Sequence, residues 1–302
     1  MKWCMGLLEV MNKGKKMLVN YLIISNIIGV IIFVVLGVFI YFKYLSPKDH
    51  PRNFFKGDYL KAAYAISSDN TEKLSKILPK IKNIDKLGTD EHYTLLMYAV
   101  KKEASKSVKL LLDNGADPKI LGTDTYDDKF SAIYLAVTVK DTTSLKILLD
   151  YGISPNHKEE NRVIIFDAIA WLNRDAINLL LEYGADVNQT TELEVSVLQH
   201  ALIRIEYDLA EVLIEKGANV HHIDKLGRSE AFQIQRSLEK WEKDSDEYLE
   251  IKKIQDMMKQ RGVKFPVLAP KEQRKALGIV WCDDPEGWMH KSKCKKIGEE
   301  NQ

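Results

Sequence analysis

Seven histidines, three cysteines and a wide spread of acidic residues are the groups through which this 302-residue sequence could do chemistry. Their spacing is the first test. His50, His92, His157, His200, His221, His222 and His290 are scattered, and none falls in H-E-x-x-H. The adjacent pair His221-His222 follows a turn, where neighbouring side chains project in different directions, a poor start for a metal site. G-x-G-x-x-G, Walker A and G-x-S-x-G patterns are absent. Cys4, Cys282 and Cys294 make neither a zinc ligand set nor a C-x-x-C redox pair. Cys282 and Cys294 are compatible with a disulfide closing a C-terminal loop in an oxidising compartment, and equally with two separate thiols. The acids specify no dry pocket with paired carboxylates. The sequence therefore assigns no catalytic residue, no metal, no cofactor and no small-molecule substrate, and it does not read as an enzyme.

Binding is the remaining kind of chemistry, and the partner class is narrowed by charge. Lys and Arg total 44 against 43 for Asp and Glu, a formal charge of +1. This balance supplies no general pull on nucleic acid. The hydrophobic share of 45% and charged share of 29% suit an ordered chain.

The elements that must position a binding surface are read from an internal repeat. Gly115-Ala116-Asp117-Pro118, Gly152-Ile153-Ser154-Pro155, Gly184-Ala185-Asp186-Val187 and Gly217-Ala218-Asn219-Val220 have their glycines 37, 32 and 33 residues apart. Sixteen residues before each glycine stands an alanine: Ala99, Ala136, Ala168 and Ala201. Four phase-locked pairs predict helix pairs. A small alanine allows close helix approach, and a glycine closes the second helix in the left-handed conformation. Asp117, Asp186 and Asn219 suit the next turn through hydrogen bonds to local backbone.

These features resemble the ankyrin-repeat family. Thr94-Leu95-Leu96-Met97-Tyr98-Ala99 is similar to its T-P-L-H-x-A stretch. So are residues 131–136, 196–201 and, more loosely, 163–168. Second-helix signatures follow at 108–112, 145–149, 177–181 and 210–214. The resemblance implies an all-α solenoid of about six helix-pair repeats over residues 57–264. Leu60 to Leu78, with a turn expected at Asn83-Ile84-Asp85, reads as an N-terminal capping repeat, and a lengthened last one contains the charged stretch Glu239 to Glu250. Residues 265–302 read as a C-terminal capping extension.

Ahead of the repeats, Met17 to Phe42 is a 26-residue run without a charge. It is long enough for one transmembrane helix, which needs about 20 residues. The basic segment 1–16 precedes it and a spacer, 43–56, follows. A short basic segment before a first apolar span suggests a signal anchor, hence a single-pass bacterial inner-membrane protein with a periplasmic C-terminal domain. Membrane-anchored ankyrin proteins of this layout resemble toxin-immunity proteins. The expected partner is then a protein, a secreted lipase or other envelope toxin occluded by the repeat surface. The alternative is a structural adaptor or stress-protective component of an envelope complex.

Repeat phase selects the partner-binding candidates. The four-residue expansion around Gly122 to Phe130 presents Tyr126 flanked by Asp124, Asp127 and Asp128. Insertions in solenoids tend to line the binding side. Tyr93, Glu160 and Glu192 fall near successive turns, and Tyr98, Tyr134, Asp167 and Trp171 on or near first helices. Together they predict an acidic, aromatic-bearing groove, since aromatics supply desolvated contacts and acids select basic patches.

Overall fold

The computed structural model describes residues 50–89, 92–123, 128–159 and 162–278. Within them the helices are α1 (Gly57–Ser67), α2 (Thr71–Ile77), α3 (Leu95–Lys101), α4 (Ser105–Asp113), α5 (Ala132–Thr138), α6 (Thr143–Asp150) and α7 (Ile164–Ala170). They continue with α8 (Arg174–Glu182), α9 (Val197–Ile203), α10 (Tyr207–Glu215), α11 (Glu230–Lys240), α12 (Asp246–Gln260) and α13 (Pro270–Leu277). Two small antiparallel hairpins sit between pairs: β1 (Gly122–Thr123) with β2 (Lys129–Phe130), and β3 (Lys158–Glu159) with β4 (Arg162–Val163).

Helices α1 to α12 make six antiparallel pairs. The first helices α1, α3, α5, α7, α9 and α11 pack each on the next, forming one continuous row. Side chains between the pairs build a single extended core, because no pair can hide its own apolar face. Ala99, Ala136, Ala168 and Ala201 are all fully buried, as close packing of the first helices requires. Ile234 takes the corresponding place in α11, the start of the longest pair.

Glycine is needed where the second helices end. Gly115, Gly152, Gly184 and Gly217 have φ between 85 and 101°, and Gly262, closing α12, has φ 92°. Behind the first of these, the Gly115 amide donates to the Leu112 carbonyl and the Ala116 amide to Leu111, satisfying the helix end. The turn side chains do more than bond locally. The Asp117 amide donates to Asp85 of the preceding repeat (2.9 Å), Asp186 to Asn156 (2.7 Å) and Asn219 to Asn188 (2.8 Å). A ladder of side chains therefore stitches successive turns together.

A comparable link lies at the other end of the helices. Asn173 accepts from the Ala176 amide, capping α8, and its amide donates to the carbonyls of Val137 (3.0 Å) and Val139 (2.7 Å) one repeat back. Asn173→Ala removes the cap and orphans two carbonyls. We expect a loss of about 2 kcal/mol, read as a lower urea midpoint with unchanged m-value.

Three expectations change here. Among the described residues no helix is long and apolar enough to cross a membrane, and the anchor expected at 17–42 lies outside them. This corrects the membrane-anchored reading. No transmembrane helix among the described residues supports it, so the single-pass inner-membrane placement, the periplasmic domain and the toxin-immunity role are not retained. Second, residues 43–56 are not all spacer: Phe54 and Phe55 are 0% and 2% exposed and insert into the core beside α3. Third, of the C-terminal extension only its start is described. There α13 packs on the turn at Gly227, where an added Cβ would lie 2.5 Å from Arg274 Cγ. Cys282 and Cys294 lie outside the described residues.

Candidate partner-binding surface

The residues singled out by repeat phase separate into three groups. Tyr93 and Tyr98 belong to the core, at 4% and 0% exposure. Tyr98 packs against Phe54 (5.2 Å between ring centres) and Phe55 (5.5 Å), and its hydroxyl bonds to Ser67 Oγ (3.0 Å). Tyr93 lies between Phe54 and Phe130, at 5.2 and 4.9 Å, with the Lys101 ammonium over its ring. Neither offers a face to a partner. Asp124, Tyr126, Asp127 and Glu160 lie outside the described residues. Asp128, Trp171 and Glu192 are exposed, whereas Tyr134 and Asp167 are half-buried.

Tyr134 of α5 and Asp167 of α7 share a cluster built around the second hairpin. The Arg162 guanidinium lies over the Tyr134 ring, 4.4 Å from its centre, and donates to the Lys129 carbonyl. Buried Glu159 accepts from the Ser131 amide and hydroxyl, with His157 3.6 Å and Arg162 3.9 Å away. Ser131 thus caps nothing on its own helix, whereas Thr94, Ser196 and Ser229 accept from the amides of Met97, Gln199 and Phe232. Burial pushes the Asp167 carboxyl up to about 6, with Arg162 opposing and Glu159 adding to the shift. One of its oxygens is buried without a hydrogen bond. His200 of α9 lies tilted against Phe166, 5.3 Å between ring centres, and burial, then Arg204, holds its pKa below the usual value.

Trp171 closes α7 and is 61% exposed. Leu172 follows at 48%, and one repeat on Ile203 and Ile205 are 49% and 60% exposed. Leu172 and Ile205 occupy equivalent places after successive first helices, which phase locates without showing that they are exposed. Leu172 and Ile205 also hold φ values of 54 and 63°. That left-handed backbone suits glycine, and for a β-branched isoleucine it is costly.

The histidines do not gather. His221 bonds to the Arg261 carbonyl (2.9 Å) and His222 to the Glu194 carbonyl. Among the described residues no group of three His, Cys, Asp or Glu could hold a metal ion.

The model described as Ankyrin repeat matches residues 91–122, the stretch around α3 and α4. Two solved structures superpose over most of the solenoid. One is the ankyrin repeat domain of Bcl-3, a member of the IkappaB protein family, at TM-score 0.56 and 20% identity, covering 70% of this chain and 90% of that one. The fold is the ankyrin-repeat solenoid. The human ASB11 ankyrin repeat domain is similar too, at TM-score 0.51 and 16% identity, over 68% of this chain and 85% of that one. None of the curated proteins compared matches the chain. The row of first helices is the surface on which Tyr134, Asp167 and Trp171 are displayed.

Proposed function

We propose that this ankyrin solenoid is a protein-binding module that docks its partner on the exposed ends of α7 and α9. The observation that carries the reading is the apolar ridge of Trp171, Leu172, Ile203 and Ile205. Exposed apolar side chains scattered singly need no explanation, but four on adjacent repeats form a site of the kind partners cover. Tryptophan is the residue type most often found at the energetic centre of an interface. The left-handed backbone of Leu172 and Ile205 belongs to the turn between paired helices, since Asp69 and Glu103 hold it at the same place in other repeats, with φ of 44 and 54°. Half-buried Asp167 sits four residues before Trp171 on α7 and adds an acceptor whose charge depends on pH near 6.

Affinity capture with the full chain, followed by titration of the purified pair, tests this. Trp171→Ala is expected to weaken binding at least about tenfold while leaving the urea midpoint in place, since the side chain is solvated in the free protein. Equal affinity for wild type, Trp171→Ala and Ile203→Ala would remove the ridge from the interface.

A further inference from the structure

Between α9 and α11 the first-helix face opens into a groove of about 520 Å³, bounded at one end by Pro270 of α13. Its apolar surface comes from Ile203, half-buried Phe232 and Pro270, and its charge from Arg228, Arg236 and Lys240. No carboxylate lines it. Arg228 is already neutralised, its guanidinium 2.7 Å from buried Asp224. Arg236 and Lys240 are exposed, and neither is paired with a carboxylate among the described residues. Lys240 lies over its neighbour Trp241, 5.4 Å from the ring centre. Spacing of four along α11 puts the two free cations on one face, one turn apart. The acidic groove expected from the sequence is thus replaced, at this end of the solenoid, by a basic one with an apolar floor.

The wall of this groove is held firmly. Gly227, at φ 73°, lets α13 approach so closely that a Cβ there would meet the Pro270 carbonyl at 2.7 Å. Arg274 fixes the same helix by donating to the Leu226 carbonyl (2.7 Å). A formed, charge-unbalanced groove differs from a mobile lysine-rich surface, because its cations stand beside apolar surface that excludes water.

We propose that this groove binds an acidic peptide segment of the partner protein, with one large apolar side chain seated on Phe232 and Ile203 and flanking carboxylates on Arg236 and Lys240. The proposal rests on the protein-binding reading and names the partner chemistry at one part of that face. Two free cations around an apolar pocket fit a peptide better than a nucleic acid strand, which would need a longer row of cations and open stacking faces.

A random 12-residue peptide library displayed on phage and selected on the immobilised full chain tests it. Recovered peptides are expected to carry Asp or Glu on either side of a Leu, Ile, Phe or Trp. Labelled copies should lose about tenfold or more in affinity for the doubly substituted R236E/K240E chain, and weaken as salt is raised from 50 to 300 mM. Replacing the peptide's acids by their amides, or its apolar residue by Gly, should each reproduce most of the loss. Both substituted positions are exposed, and an unchanged thermal midpoint would show that the variant is folded. Peptides without acidic enrichment, no recovered peptide, or binding indifferent to R236E/K240E would overturn the groove assignment. A 12-residue oligothymidylate that binds more tightly than the peptides would overturn it in favour of nucleic acid. Peptides that ignore R236E/K240E but lose affinity with Trp171→Ala would reject the groove and leave the binding-module reading standing.

Discussion

Glu230→Gln is expected to make the protein more stable at pH 8 and to leave its stability at pH 5 almost unchanged. Glu230 opens α11 and is 0% exposed. One carboxyl oxygen accepts from the Ser196 hydroxyl of the preceding repeat, and the other is buried with no hydrogen bond. Burial pushes its carboxyl up to about 7; the Ser196 bond, its own backbone amide and His222 oppose this, and Asp224 reinforces it. An unfolded glutamate titrates near 4.5. Between those values the native chain holds a proton that the unfolded chain has lost, so unfolding releases it and stability falls as pH rises. The full contribution is present below about pH 4.5 and is lost as pH passes about 7. A shift of this size corresponds to roughly 3 kcal/mol. Asp167, raised to about 6, contributes with the same sign over a lower window. His200, whose pKa is lowered, works oppositely as pH falls. The difference between wild type and Glu230→Gln isolates the first of these. Urea unfolding from pH 5 to 8 should show the wild type losing stability relative to the variant, and parallel profiles would mean that Glu230 is ionised throughout.

Legibility followed the division between repeated and unrepeated features. Ala99, Ala136, Ala168 and Ala201 recur because helix approach imposes the same volume limit in each repeat. The closing glycines recur because each second helix ends in the same left-handed residue. These constraints act within about 40 residues of chain and leave a mark at a fixed period. Exposure leaves no such mark. Lys102, Val139, Trp171 and Arg204 occupy equivalent places, yet only the structure shows which stands clear of its neighbours. Phase placed Tyr93 and Tyr98 at the surface because it describes internal repeats, whose neighbours are other repeats. Their actual cover is Phe54-Phe55, a segment outside the repeat pattern that read as spacer. The basic groove escaped for a related reason: Arg236 and Lys240 belong to the lengthened α11, and Pro270 reaches it from beyond the last pair. The buried acids Glu159 and Glu230 carry no spacing signal at all, since each is bonded to a serine about one repeat away.

Tyr98→Ala is expected to be among the most damaging substitutions in the chain, and its damage should be local before it is global. The ring is fully enclosed by Phe54, Phe55 and the first-helix contact between α1 and α3. Truncating a buried aromatic costs about 3–5 kcal/mol through lost burial and the cavity left behind. Tyr98→Phe keeps the packing and removes the bond to Ser67, whose own hydroxyl remains near water, so about 1 kcal/mol is expected. In a solenoid, each repeat is held mainly by its neighbours. Loss at the α1–α3 contact should therefore release the first pair at lower urea than the rest. Circular dichroism should show a broadened or two-step transition for Tyr98→Ala and a single, slightly shifted one for Tyr98→Phe. Hydrogen exchange would locate the early step in residues 54–77. A partner-facing tyrosine would behave in the opposite way, with an unchanged midpoint and weaker binding, because a side chain already in water leaves no cavity when it is removed.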